Sequence, residues 1–383
     1  MTGSMELTMP TNEFQGLVSQ ALKGTSNDAM VAITSLIAIE VKNGTLALTT
    51  TDSVNYVKVI KEGVSASDFY VCLSADQFGK LISKITSETT TLILQTDESG
   101  KPLFLQIKAG TGTYKLPLPI EEDGLIRYEM PLVQDGISGK INLTSVRSIL
   151  EVNKSSLLNV FLGESKKQLM GYYCGDEVVT SDGTKISMSN IKLFEQPILL
   201  RSRLMDLLLL FKDEEINYSR ANGKITFSSP GLVITTSELE GIEQFPIQKI
   251  KPHLTMSFPS KAVVSNKEIS SLIDRLMLFV TMEDKNLVYI TFNNNGMYIS
   301  TKQSNGAEMI AYKNSVNFQA YNICLDIQML KTIIDSQSTD LIDFEYGIEG
   351  ALKVVGTNSI QLLSLAPDDR IVASQPQQEM AAV

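Results

Sequence analysis

The sequence contains no tryptophan, a single histidine and three cysteines, and no run of the ~18 apolar residues that a membrane-crossing helix needs. The lone histidine, His253, stands beside Pro252 in a stretch read as a linker, so no imidazole pair is present to hold a metal or activate a nucleophile. Cys72, Cys174 and Cys324 are odd in number and far apart, which fits reduced core thiols of a cytoplasmic protein rather than a disulfide framework or metal site. Walker, HExxH, CxxC and GxSxG patterns are all missing. Gly110-Thr111-Gly112 has a GxG spacing but lies inside a strand hairpin, not ahead of a helix. The acidic run Glu121-Glu122-Asp123 reads as a solvated loop, with a Mg²⁺-dependent hydrolase as the weighed alternative. Neither an enzyme, a cofactor nor a metal is expected. The opening MTGSMELTMP lacks the charged-then-apolar order of a signal peptide. A net charge of −10 gives no argument from charge alone for nucleic-acid binding.

What the sequence does contain is repetition. NGTLALTTTDSVNYVKV (Asn43–Val57) and NGMYISTKQSNGAEMIAY (Asn295–Tyr312) both open on Asn-Gly, alternate apolar and polar residues, turn, and alternate again. Related stretches begin at Ser99, Asn222 and Glu349, with a more divergent one over Lys167–Ser189. Asn-Gly supplies the positive φ of a tight hairpin turn, and period-two alternation marks half-buried strands.

Between these blocks lie six amphipathic segments with apolar residues at i, i+3 and i+4. They are EFQGLVSQALKG, SADQFGKLISKIT, LTSVRSILEVNK, SRLMDLLLLFK, SNKEISSLIDRLMLFV and LDIQMLKTIIDS, centred near residues 18, 80, 149, 207, 273 and 331. Ser74 and Thr144 are the N-cap candidates of the second and third. Six near-equal units, each a helix followed by strands, predict an α+β fold. One unit cannot bury both its helix and its sheet face, so the units pair into three domains of two helices on antiparallel sheet. The polar stretches near Met130–Asp135 and Lys251–Met256 set the boundaries 1–131, 132–254 and 255–369, and 370–383 reads as a flexible tail. The helical segments, with Arg201 just ahead of the fourth, carry Lys23, Lys80, Lys84, Arg147, Lys154, Arg201, Arg203, Lys212, Lys267, Arg275 and Lys331 against eight acidic residues, about three charges positive on an acidic chain. Such a layer suits sequence-independent phosphate contact; the alternative is that these are ordinary solvated helix faces.

Three domains of this kind resemble the bacterial DNA polymerase III β subunits, the sliding clamps. The resemblance runs to about Asp369. AITSLIAIEVKNGTLALTTTD (Ala32–Asp52) resembles the first-domain segment of that family. VVTSDGTKIS (Val178–Ser187) resembles its Ala-Thr-Asp-Gly-His-Arg-Leu signature, and SELEGIEQFPIQKIKP (Ser237–Pro252) its Asp-Gly-Arg-Phe-Pro-Asp-Tyr segment. The resemblance implies a head-to-tail homodimer closed into a ring, with the helices and their basic residues around duplex DNA. It implies a processivity factor for a DNA polymerase, placed on DNA by a clamp-loader ATPase, without any membrane role.

The resemblance also assigns a partner-peptide pocket to Leu158, Ser181, Gly183, Thr184, Lys185, Ile186, Pro246, Lys249, Ile250, Leu363, Leu365, Ala366 and Pro367. It sets Tyr114 and Leu116 of a first-domain edge strand against Leu278 and Phe279 of the third domain as the dimer interface. This chain departs from the family pattern in three places. Thr184-Lys185 stands where the family has His-Arg, and Lys lacks the planar fork of Arg. Asp368 and Asp369 follow the pocket strand and fourteen residues come after them, and Asp28 lies in a loop that is often basic. These departures fit a phage- or plasmid-encoded member. The alternative reading is a non-enzymatic repeat β-scaffold, virion-associated, that does not encircle DNA.

Overall fold

The structure is a computed structural model that describes residues 5–26, 31–121, 124–127, 129–133, 135–281, 283 and 285–368. Asp28, Glu122, Asp123 and the 370–383 tail lie outside the described residues. The described residues hold seven α-helices: α1 Thr11–Ala21, α2 Ala75–Ser83, α3 Leu143–Asn153, α4 Ser202–Leu208, α5 Ile247–Thr255, α6 Asn266–Leu276 and α7 Ile327–Asp335. The expected α+β architecture is the one the chain adopts. Six of these helices follow directly on a strand, those ending at Pro10, Ser74, Asn142, Arg201, Ser265 and Asp326. The strand–helix–hairpin unit is thus the repeat that the sequence predicts.

The last strand residue often caps the helix it leads into. Ser74 accepts from the N–H of Gln77 at 3.5 Å, Ser265 from Glu268 at 3.4 Å, and Asp326 from Gln328 and Met329 at 2.7 and 3.3 Å. Each satisfies an orphan donor of the first turn. The cap of α3 is Asn142, which accepts from the N–H of Ser145 at 3.1 Å, and not Thr144. Thr144 lies inside the helix and its own N–H donates to the Glu214 carboxylate at 3.0 Å.

The helix α5 replaces the linker expected around Lys251–Met256, and His253 is exposed in its last turn. Its Ile250 and Leu254 are buried one turn apart with Phe245 and Met188, which is enough apolar surface to hold a helix despite Pro252. Lys167–Met170, expected at the start of a hairpin, closes a 3₁₀ segment instead.

The chain divides into two compact units. One holds the residues up to Val146 together with Arg203–Glu238, the other Arg147–Ser202 with the residues from Leu239 onward. The first unit contains a four-stranded antiparallel sheet in the order Met5–Pro10, Thr89–Thr96, Pro102–Ala109, Gly112–Pro117. It also contains an eight-stranded sheet in the order Ile137–Asn142, Glu215–Ala221, Lys224–Ser229, Leu232–Ser237, Asn55–Glu62, Thr45–Thr51, Leu36–Lys42, Phe69–Ser74. Its α1 and α2 meet where Phe14 packs edge-on against Phe78, ring centres 6.0 Å apart, and where Gly79 leaves room for Leu22 that any Cβ would take. The Asn43-Gly44 and Asn222-Gly223 turns have positive φ at both residues, as a two-residue hairpin connection demands.

The second unit contains a nine-stranded sheet in the order Ile198–Arg201, Gly171–Cys174, Val178–Ser181, Lys185–Ser189, Ser359–Ser364, Ala351–Val355, Leu341–Ile348, Ser260–Ser265, Asn314–Val316. A four-stranded sheet follows, Ala307–Ile310, Gly296–Thr301, Leu287–Asn293, Tyr321–Asp326. Between these sheets and under α6 and α7 lies a continuous core of Ile269, Leu272, Ile273, Leu330, Ile333, Phe292 and Tyr346, the last two stacked at 3.8 Å. No helix is long and apolar enough to cross a membrane among the described residues.

Candidate nucleic-acid, peptide and self-association sites

The eleven basic residues of the helical segments fall into different environments. Lys23, Lys84, Arg147, Lys212 and Lys267 are exposed and make no ion pair among the described residues. Lys154 is exposed just beyond α3, and Arg201 is half-buried at the end of its strand. Lys80 pairs with Asp76 one turn earlier on α2, 2.8 Å, in an exposed contact of little energy. Arg203 is committed more deeply: its Nε meets the buried Asp52 carboxylate at 2.8 Å and its Nη2 donates to the carbonyls of Lys23 and Thr25. Arg275 makes a two-bond fork to Glu308, and Lys331 lies between Asp274 and Asp335. Helical spacing accounts for Asp76 and Asp335, each one turn from its partner, whereas Asp52, Glu308 and Asp274 come from other elements and leave no sign in that spacing.

The pocket candidates gather around the pairing of Lys185–Ser189 with Ser359–Ser364. Ser181 is buried and accepts from the N–H of Gly183 at 3.1 Å, so the Ser181–Lys185 turn has a fixed shape. Asp182 builds that turn too. Its Oδ1 accepts from the N–H groups of Thr184 and Lys185 and from the Thr184 hydroxyl, at 2.7 to 2.8 Å. Burial alone would raise the Asp182 carboxyl; the Thr184 hydroxyl, these N–H groups and the Lys185 charge outweigh it and hold the group below the usual carboxylate range. Thr184 is exposed. The Lys185 ammonium is tied inward, 2.6 Å from the Ser155 carbonyl and 3.4 Å from Asp182.

Ile186 and Ile250 pack in one apolar cluster with Met188 and Phe245. Leu363 is on the opposite face, in the core under α6 and α7, with Leu365 against its edge. Leu158 is nearly buried, while Ala366 is half-buried and bridges to the Cys324 carbonyl at 2.8 Å. Pro367 and Lys249 are exposed. Pro246 and Lys249 help line a groove of about 540 Å³ with Tyr173, Pro197, Ile242 and Ile247. In it Tyr173 stacks on Phe245 at 5.0 Å. Sequence reading missed Tyr173 and Asp182, since one is known by its stacking partner and the other by the turn it builds.

The self-association candidates lie on one sheet edge and in the 3₁₀ turn Met277–Phe279 after α6. On Gly112–Pro117, the outer strand of its sheet, Tyr114 is 42% exposed while Leu116 is buried. In the other unit Leu278 and Phe279 are 80% and 50% exposed, and Met309 of the outer strand Ala307–Ile310 is exposed as well. Leu278 and Phe279 are therefore not core residues of the single chain. Among the described residues no three His, Cys, Asp or Glu side chains cluster as metal ligands would.

No protein-family model and no curated protein matches the chain. Solved structures do. The DNA polymerase sliding clamp of Bacillus subtilis superposes with a TM-score of 0.83 at 14% identity, covering 96% of this chain and 100% of that one. The DNA polymerase III β subunit of Thermotoga maritima gives 0.80 at 17%, covering 95% and 100%. That of Borrelia burgdorferi, solved with a natural product, gives 0.82 at 18%, covering 96% and 100%. The chain has the sliding-clamp fold over nearly its whole length.

Proposed function

We propose that the chain is a DNA sliding clamp, a non-enzymatic processivity factor that encircles duplex DNA and tethers a polymerase. The observation that carries this reading is the end-to-end correspondence with the sliding-clamp fold, with all of each compared clamp covered. Six repeats per chain, grouped as three domains over 1–131, 132–254 and 255–369, become twelve in a head-to-tail dimer. The helices then face the duplex and the sheets face outward. The exposed residues Tyr114, on an outer strand, and Leu278 and Phe279, in the 3₁₀ turn after α6, support this joint, because an open strand edge and exposed apolar side chains are stabilised when another surface covers them. Leu116, two residues along the same face of the strand and opposite Leu105, is buried and supports the strand from within. The pocket holds an extended partner peptide, with Tyr173, Phe245 and Ile247 supplying its apolar lining, Ile186 and Ile250 in the apolar cluster behind them, and Pro246 and Lys249 on its rim. The partners are the polymerase and the loader ATPase that opens the ring, in the cytoplasm.

Affinity of a ring for DNA is topological, and this is what the deciding experiment reads. Protein loaded on a nicked circle is passed through a sizing column in moderate salt, where simple phosphate contacts weaken. A clamp stays with the circle and is lost when the DNA is linearised. Equal loss from both forms, with a loader that places a control clamp, would assign the fold to a scaffold that does not encircle DNA.

A further inference from the structure

A cation that a helix presents is not always free to meet a phosphate. In the first repeat pair, Lys23 after α1 and Lys84 at the end of α2 are exposed and unpaired among the described residues, and Lys80 is held only by a neighbour on its own helix. In the α6–α7 pair the arrangement differs. Arg275 forms two parallel bonds to Glu308, 2.8 Å from Nε and 2.6 Å from Nη2. Lys331 is 2.6 Å from Asp274 and 3.0 Å from Asp335, and only 29% of its side chain is exposed. Only Lys267 is left open there, and the neighbouring Glu268 is occupied by Lys313 at 2.8 Å.

We infer that the first domain grips duplex phosphates more strongly than the third, because Glu308, Asp274 and Asp335 act as built-in counterions for Arg275 and Lys331. The inference rests on the clamp reading. Its physical basis is counterion release: a cation adds to salt-dependent affinity when it neutralises a phosphate and sets a condensed ion free. A guanidinium already matched by a carboxylate fork has no such charge to offer without breaking a geometrically good pair. The Arg275 guanidinium holds the Glu308 carboxyl below the usual carboxylate range, so the pair is intact at neutral pH. Hydrogen bonds to Asp274 and then Asp335 push the Lys331 ammonium up, so it too stays charged and matched.

The test is a salt titration of full-length protein on a short linear duplex, read as the slope of log affinity against log salt. Lys84→Gln should flatten the slope by about 0.9, the contribution of one phosphate contact. Arg275→Gln should flatten it by less than half as much. Glu308→Gln should steepen it, by up to about 0.9, by releasing Arg275. Asp335→Asn should steepen it in the same direction through Lys331. Glu308 is on the outer strand Ala307–Ile310, so its variant is also weighed by light scattering; if its mass changes, Asp335→Asn decides. The inference is overturned if Arg275→Gln flattens the slope as much as Lys84→Gln does, or if neither acidic substitution steepens it. Retention of wild type on a nicked circle reports on the clamp reading separately. Wild type retained with Lys84 and Arg275 equivalent sinks the inference alone, and wild type lost from circle and linear DNA alike sinks both.

Discussion

In each compact unit the strand pairing that joins the most distant parts of the sequence forms a seam in its large sheet, and the two seams are built from different materials. In the first unit Asn55–Glu62 pairs with Leu232–Ser237. On its core face Val57 lies opposite Ile234 and Val59 opposite Leu232, all buried. On that face only one end is polar, where the Thr236 hydroxyl donates to Asn55 at 2.7 Å and Asn55 in turn donates to Asp52 at 2.8 Å. In the second unit Lys185–Ser189 pairs with Ser359–Ser364, and one face of that seam is polar almost throughout. Gln361 donates to the Val152 carbonyl at 3.0 Å and to Ser187 at 3.1 Å, and accepts from Gln337 and Ser336. Asn153 donates to the carbonyls of Val178 and Ser187 and accepts from Ser189 at 2.6 Å. Its neighbour Ser156 meets Ser187 at 2.7 Å.

The difference is one of specification. Apolar pairs stabilise a seam in proportion to buried area but accept a slipped or repacked arrangement at modest cost. A buried network with its groups matched tolerates no slip, because each lost partner leaves a desolvated dipole behind. The second seam is also the one that carries the pocket candidates Lys185, Ile186 and Leu363. A peptide site there gains a floor whose register is fixed by hydrogen bonds.

Four substitutions sharpen or break this contrast, all read by denaturant unfolding of the full chain unless stated. Gln361→Leu should have the largest effect, roughly 4 kcal/mol, since several buried partners lose a bond at about 1–3 kcal/mol each. A loss below about 1 kcal/mol would mean the network adds little to its seam. Ile234→Ala should cost about 3 kcal/mol, the usual range for emptying a buried aliphatic site. It should leave the second unit's amide exchange protection unchanged. Thr236→Val should cost about 1 kcal/mol, one hydrogen bond with its acceptor left unmatched. The smallest effect concerns acid. With the Asp182 carboxyl depressed in the fold, its contribution is present above its unfolded pKa and is lost as pH falls through the lower folded value. Asp182→Asn should therefore flatten the loss of stability on acidification within and below the usual carboxylate range while lowering stability slightly at neutral pH. An unchanged acid profile would remove Asp182 from the turn's energetics.

Much of this organisation was legible in the residues. The i, i+3, i+4 stripes of Phe14 and Val18, of Phe78 and Ile82, and of Ile269, Leu272 and Ile273 mark helices whose buried faces are those very residues. Helix α5 was hidden because Pro252 and the polar residues between Ile247 and Leu254 imitate a linker, and only the sheet beneath reveals the apolar side. Asn142 was passed over as the α3 cap because Thr144 is an equally good capping residue in isolation; the strand that ends at Asn142 decides between them. The pocket assignment brought together Ile186 and Leu363, which are neighbours across the seam but point to opposite cores.

The sequence by itself determined the repeating unit, since period-two strands, 3.6-period helices and turn residues are local properties written in a few adjacent side chains. It also determined the α+β class, because one such unit buries too little apolar surface to stand alone. Which cations remain free was decided only by the tertiary structure. Arg275 and Glu308 are 33 residues apart, and whether a charge meets a phosphate or a carboxylate depends on what folding brings within three ångströms of it.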